Sequence, residues 1–162
     1  DMDLHLIQKN SSGQFCGNIG GEVSESCGFG NDGACYYGNC RQTSSSRPDC
    51  DNDGVNGTEG DPSLDIDDLC GFGPENINID LASPGEYLVG VDFFGFTGCS
   101  GSGSVGNTLR VYLFGQLYAE YVRDLENGDW WEVAIVHWSD DPTEVCVESV
   151  ETGAIDCPFA GN

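Results

Sequence analysis

The sequence predicts an all-β protein, an antiparallel β-sandwich of jelly-roll or Ig-like type with long loops braced by disulfides and metal ions. Three observations predict it. Short runs alternate apolar and polar residues, turn signals separate them, and no stretch carries an amphipathic helical period.

Residues 2–8 alternate, with Leu4 and Leu6 on one face and Asp1, Asp3 and His5 on the other. Residues 10–62 are rich in Gly, Asn, Ser, Asp and Cys and show little periodicity. So long an irregular stretch needs disulfides or ions to order it. Leu64, Asp65, Ile66 and Asp67 alternate again, as do Ile77, Ile79 and Leu81 with Asn78 and Asp80. Pro84-Gly85 marks a turn ahead of a strand over 86–94, with Tyr87, Val89 and Val91 in register. Residues 99–107 read as a Gly/Ser loop, and 108–114 with 117–123 as a hairpin about Gly115-Gln116. Asn127-Gly128-Asp129 is a turn. Residues 130–138 read as a strand with Trp131, Val133, Ile135 and His137 on one face, and 144–150 as a last strand before a turn at Gly153. The expected organisation is a sandwich over 1–138, including the Cys/Asp-rich loop region 10–62, and a C-terminal strand and extension over 139–162.

The 162 residues include 28 acids against five Lys and Arg, a formal charge of −23. Nothing in that balance neutralises phosphates, which argues against nucleic acid and against anionic membrane surfaces. No apolar run is long enough to span a bilayer, so membrane insertion is not expected. Plentiful patterned Trp, Tyr, Phe, Val, Ile and Leu argue against a disordered acidic tail. A folded chain this acidic repels itself, and bound cations are the simplest relief.

Nine cysteines in loop-like sequence indicate an oxidising compartment and disulfides, hence a secreted or cell-surface protein. Cys146 with Cys157 is the leading pair, because a short turn-bearing segment separates them. Cys70 with Cys99 is a second, and pairings within the Cys16–Cys50 group, Cys35 and Cys40 among them, are a third. The odd count leaves one cysteine free, paired between chains, or separated from its partner. The chain opens on Asp1 inside a strand-like run, which reads as a processed product or the ordered part of a longer chain. Asn10-Ser11-Ser12 and Asn56-Gly57-Thr58 are glycosylation sequons.

Three acidic clusters have metal-ligand spacing. Asp1, Asp3 and His5 share a strand face; Asp65 and Asp67 share another, followed by Glu75. Like charges so close repel unless something neutralises them. Oxygen ligands in an irregular arrangement suit calcium, one or two ions in all. His5 is the exception: it holds a carboxylate in place, or, as a ligand, shifts the preference to zinc or manganese. The third cluster, Asp49, Asp51, Asp53, Gly54, Val55, Glu59 and Asp61, opens like a calcium loop. Gly54 permits the sharp turn and Val55 offers its carbonyl. Gly60 stands where the bidentate acid belongs, so Glu59 or Asp61 substitutes from a shifted loop.

Asp1-Met2-Asp3-Leu4-His5-Leu6, Cys35-Tyr36-Tyr37-Gly38-Asn39-Cys40, Leu64-Asp65-Ile66-Asp67-Asp68, Gly71-Phe72-Gly73-Pro74-Glu75-Asn76-Ile77 and Pro84-Gly85-Glu86-Tyr87 occur in that order. Over residues 1–138 this resembles the YfaP-type bacterial domains found in large secreted proteins of myxobacteria and their relatives. The resemblance implies an extracellular β-sandwich module without established catalysis, and an ion site at Asp1, Asp3, His5, Asp65, Asp67 and Glu75. The Asp49–Asp61 insertion and the Cys146–Cys157 tail depart from that pattern.

No Gly-x-Ser-x-Gly elbow or His-Glu-x-x-His motif occurs, so an enzyme is not expected. His137 reads as a packed core histidine. The main expectation is a calcium-binding structural or adhesion module with cell-surface or matrix partners. One alternative is a self-associating subunit of an extracellular filament or surface layer, built by strand or disulfide exchange. Another is a carbohydrate-binding or glycoside-hydrolysing domain using Trp130, Trp131 and Trp138.

Overall fold

A computed structural model describes residues 2–9, 13, 15, 18–19, 22–23, 34–36, 40, 61–65, 74–95, 101 and 103–160. Among the described residues the regular structure is β, with a 3₁₀ turn over Pro142–Glu144. The main sheet contains β1 (Met2–Gln8), β4 (Ala34–Cys35), β7 (Gly85–Phe93), β10 (Trp130–Trp138), β11 (Cys146–Ser149) and β12 (Ile155–Asp156). Their order is β12-β11-β10-β7-β1-β4, and every pairing is antiparallel. Three separate hairpins are β2 (Asn18–Ile19) with β3 (Glu22–Val23), β5 (Ser63–Leu64) with β6 (Ile77–Asn78), and β8 (Val105–Leu113) with β9 (Gln116–Leu125). The expected all-β, antiparallel class is what the chain adopts.

Alternation assigns the faces. Met2, Leu4 and Leu6 of β1 pack against the main core, while Asp3, His5 and Ile7 point to the other side and are buried there. The main core joins Tyr87, Val91 and Phe93 of β7 to Trp131, Ala134 and Val136 of β10 and to Val145 and Val147. Leu109, Val111 and Leu113, the alternate residues of β8, complete it with Leu125. Burial of each such aliphatic side chain stabilises by roughly 1.5–3 kcal/mol. Residues 146–156 extend the main sheet by two strands, and the Cys146–Cys157 disulfide closes them as the sequence predicts.

The structure moves several boundaries. The strand expected from residue 108 starts at Val105, inside the expected loop. The hairpin turns on Phe114-Gly115 rather than Gly115-Gln116, with φ of 51° and 76°, because a two-residue turn matching the strand twist needs positive φ at both positions. The Phe114 ring packs on Trp138 and Phe159. The largest correction concerns β10. A bulge between Glu132 and Ala134 inserts Val133. Trp131 and Ala134 therefore oppose Val91 and Val89 on the core face, while Glu132 and Ile135 oppose Gly90 and Leu88 on the other. Trp131 does not share a face with Ile135 and His137, because one extra residue reverses the alternation.

Candidate functional site

The face of the main sheet away from the large core carries the polar chemistry. Successive rows cross β1, β7 and β10 in register. Asp3 opposes Asp92, which opposes Trp130; His5 opposes Gly90, which opposes Glu132; Ile7 opposes Leu88, which opposes Ile135. Ile7 and Leu88 form a second apolar cluster with Tyr36, Trp130, Ile135 and Val150. At its far end lies a charged row. Lys9 pairs with Glu86, and His137 lies 3.9 Å from Glu86 and 3.0 Å from Glu148. His137 is thus an ion-pairing side chain, 30% exposed, and not the packed core histidine expected from alternation. The bulge at Val133 accounts for the difference, since it turns His137 away from the core.

Asp3 and Asp92 are both buried, at 2% and 8% exposure. Side chains directly opposite on antiparallel strands stand about 5 Å apart at Cβ. Burial pushes the Asp92 carboxyl above the ordinary carboxylate range. Next to this pair, His5 is 3% exposed, stacked on Tyr36 at 5.5 Å and met edge-on by Trp130 at 5.2 Å. Burial pushes its imidazole down to about 4, so it is neutral near pH 7. Neither ring nitrogen has a hydrogen-bond partner among the described residues. Trp130 reaches His5 by lying across Gly90, where no side chain intervenes.

Glu75 joins the same strand from its edge. Among the described residues, β4 pairs with β1 at Leu6 and Ile7, and Glu75 meets the same strand nearer its N-terminal end. There the Leu4 N–H donates to Glu75 Oε2 at 2.6 Å. The β5–β6 hairpin brings Glu75 into position: Leu64 and Ile77 pack with Leu6 against the Cys35–Cys40 disulfide, and the Leu64 N–H donates to the Cys40 carbonyl. Asp65 is exposed and accepts from the side-chain amides of Asn76 and Asn78, so it closes its own hairpin. Asp61 is buried at 2% exposure.

Of the residues expected from sequence, the structure places Asp3 and His5 on one face of β1, sets Glu75 on the Leu4 N–H at the strand edge, and gives Asp65 to its own hairpin. Asp1, Asp49, Asp51, Asp53, Val55, Glu59, Asp67, Cys70, Cys99, Asn10 and Asn56 lie outside the described residues. Among the described residues, no group of three or more His, Cys, Asp or Glu is placed to hold a metal ion. What the described part offers a cation is the carboxylate pair, an oxygen donor set that suits a hard ion. Asp92 is the member sequence reading missed. Its signal was an acid inside the otherwise apolar run Tyr87-Leu88-Val89-Gly90-Val91-Asp92-Phe93.

Comparison with family models, with curated proteins and with solved structures gave no match.

Proposed function

We propose that this chain is an extracellular, disulfide-braced β-module that takes up calcium at Asp3 and Asp92 and serves as a structural or adhesive unit, not as an enzyme. The observation that carries the reading is the placement of two buried carboxylates directly opposite each other. A pair of like charges taken out of water is stabilised by hydrogen bonds, by a proton or by a bound cation. A divalent ion relieves both the repulsion and the burial penalty, and it does so across a chain of charge −23. The disulfides Cys35–Cys40 and Cys146–Cys157 favour an oxidising compartment. The resemblance of residues 1–138 to YfaP-type extracellular domains supports the same assignment.

Thermal melts in calcium, magnesium and chelator test it. Calcium at about a hundredfold its dissociation constant adds roughly 2.7 kcal/mol, and magnesium adds less. Asp92→Asn removes one charge without changing shape, so it abolishes the calcium response while leaving the chelated form no less stable. Identical melts of the native chain in calcium and chelator refute the site.

A further inference from the structure

A second site lies where β9 faces β10. Val122 and Arg123 of β9, Trp130 and Glu132 of β10, and Val150 and Glu151 from the turn after β11 line a cleft of about 480 Å³. That volume falls within the range of small-molecule sites. We propose that this cleft binds a neutral pyranose ring of an extracellular glycan.

Three observations carry the assignment. First, Arg123 is an unengaged cation in a chain with few of them. Lys9 pairs with Glu86 and Arg110 with Glu120, whereas Arg123 makes no ion pair or hydrogen bond among the described residues. Second, the cleft holds charges of both signs, one guanidinium with two carboxylates, beside the indoles of Trp130 and Trp131 and two valines. An anionic ligand meets Glu132, Glu151 and the strongly negative chain; a cationic one is drawn by the two carboxylates and leaves Arg123 without an acceptor. A neutral polyol suits both, because its hydroxyls donate to carboxylates and accept from guanidinium, and such charge-assisted hydrogen bonds are the stronger kind. The apolar C–H face of a pyranose packs on indole and valine.

Third, the fold constructs this cleft. The Val133 carbonyl, at the bulge, accepts from the Val150 N–H at 3.1 Å, one step beyond the Ala134–Ser149 pair of β10 and β11. The bulge therefore anchors the turn carrying Val150 and Glu151 beside Glu132. Bulges are common beside binding sites for this kind of re-aiming. Trp130 is held in place by Gly90 beneath it and His5 at its edge.

The test is an NMR and tryptophan-fluorescence titration of the full chain with methyl glycosides of glucose, galactose, mannose and N-acetylglucosamine. Methyl glucuronide and spermine serve as anionic and cationic competitors. Each titration is run in calcium and in chelator, which separates this site from the Asp3–Asp92 site. The expected result is saturable binding of at least one neutral glycoside, with shifts confined to residues 122–123, 130–132 and 150–151. Arg123→Gln and Glu132→Gln each weaken it by about tenfold or more, as loss of a hydrogen bond to a charged group predicts. Arg110→Gln, on the paired cation, leaves it unchanged. Circular dichroism melts confirm that the variants fold. Saturation by only the glucuronide or spermine overturns the proposal, as does no saturable binding of any neutral glycoside, or full binding by a folded Arg123→Gln variant.

Discussion

Gly90→Ala is the most discriminating single change, because it tests whether Trp130 lies across the sheet. A Cβ at Gly90 would stand 2.2 Å from Trp130 Cη2, 2.5 Å from Cζ2 and 3.1 Å from Cζ3. The first two are closer than real Cβ contacts come, and a rigid indole cannot bend to relieve them. The ring must therefore swing away from Gly90 and lose its edge contact with His5, 5.2 Å between centroids. Overpacking of this kind costs about 1–3 kcal/mol. For a chain of this length each kcal/mol lowers the midpoint by roughly 2–4 °C, so a fall of about 2–12 °C is expected. Thermal melts followed by circular dichroism and by tryptophan emission measure it, and urea titration gives the matching free-energy loss. The clash also predicts coupling. In a Trp130→Ala background the same methyl group no longer meets the indole, and its cost falls below about 0.5 kcal/mol, the limit of additivity for independent sites. An unchanged midpoint for Gly90→Ala refutes the placement of the indole, and strict additivity refutes the clash as its cause.

Other perturbations have equally definite outcomes. Burial lowers His5 to about 4, below its ordinary value of 6.5. The unfolded chain therefore takes up a proton first, and stability that is complete above pH 6.5 is lost as pH falls towards 4, by about 3 kcal/mol. Asp92 is shifted upward and acts in the opposite sense, gaining stability as it protonates. Melts of His5→Phe and Asp92→Asn from neutral pH down through the His5 value of about 4 separate the two. An acid limb that survives in His5→Phe excludes His5 as its source. Removing both Cys146 and Cys157 opens a loop with sequence separation 11, with an expected loss of roughly 2–3 kcal/mol in equilibrium urea unfolding. Glu75→Ala takes the acceptor from the Leu4 N–H and costs about 1–3 kcal/mol, whereas Glu75→Gln retains an oxygen and costs less. Faster amide exchange at Leu4 in Glu75→Ala alone is the direct readout.

Much of the fold was legible because period two is a strong signal where one face is buried. β1 alternates cleanly and β7 keeps Tyr87, Val89 and Val91 in register, so the core residues Tyr87 and Val91 and the opposite-facing Asp3 and His5 were assigned correctly from sequence. Asn127-Gly128-Asp129 does form a turn, with Gly128 at φ 88° and the Asp129 carboxylate accepting from the Glu126 N–H. The Phe114-Gly115 turn was displaced by one residue because a bulky aromatic rarely takes positive φ. Its contacts with Trp138 and Phe159 join residues far apart in the chain. Asp92 was missed for a related reason. An acid in a strand reads as solvent-facing until the neighbouring strand places Asp3 beside it.

The bulge at Val133 was the feature that alternation could not disclose, and its consequences are the broadest. In an unbroken strand Trp131, Val133, Ile135 and His137 would enter the core together, and Ala134, Val136 and Trp138 would leave it. The inserted residue reverses this after Glu132, so Ala134 and Val136 are buried in the main core while Ile135 joins Ile7 and Leu88 on the far face. Deleting Val133 tests whether the bulge sets that division. Every residue after it must then change faces or slip its pairing with β7 and β11. Either choice exposes the apolar positions Ala134 and Val136 or buries His137 away from Glu86 and Glu148. Loss of two buried aliphatic contacts, or burial of one unpaired titratable group, is of the same order as the whole stability of a small domain once the neighbouring strands are disturbed. The expected result is a chain that does not fold cooperatively, while Val133→Ala, which shortens the side chain but keeps the bulge, folds with reduced stability. A cooperative melt of the deletion variant near that of the native chain would show that register, not the extra residue, decides which face each side chain takes.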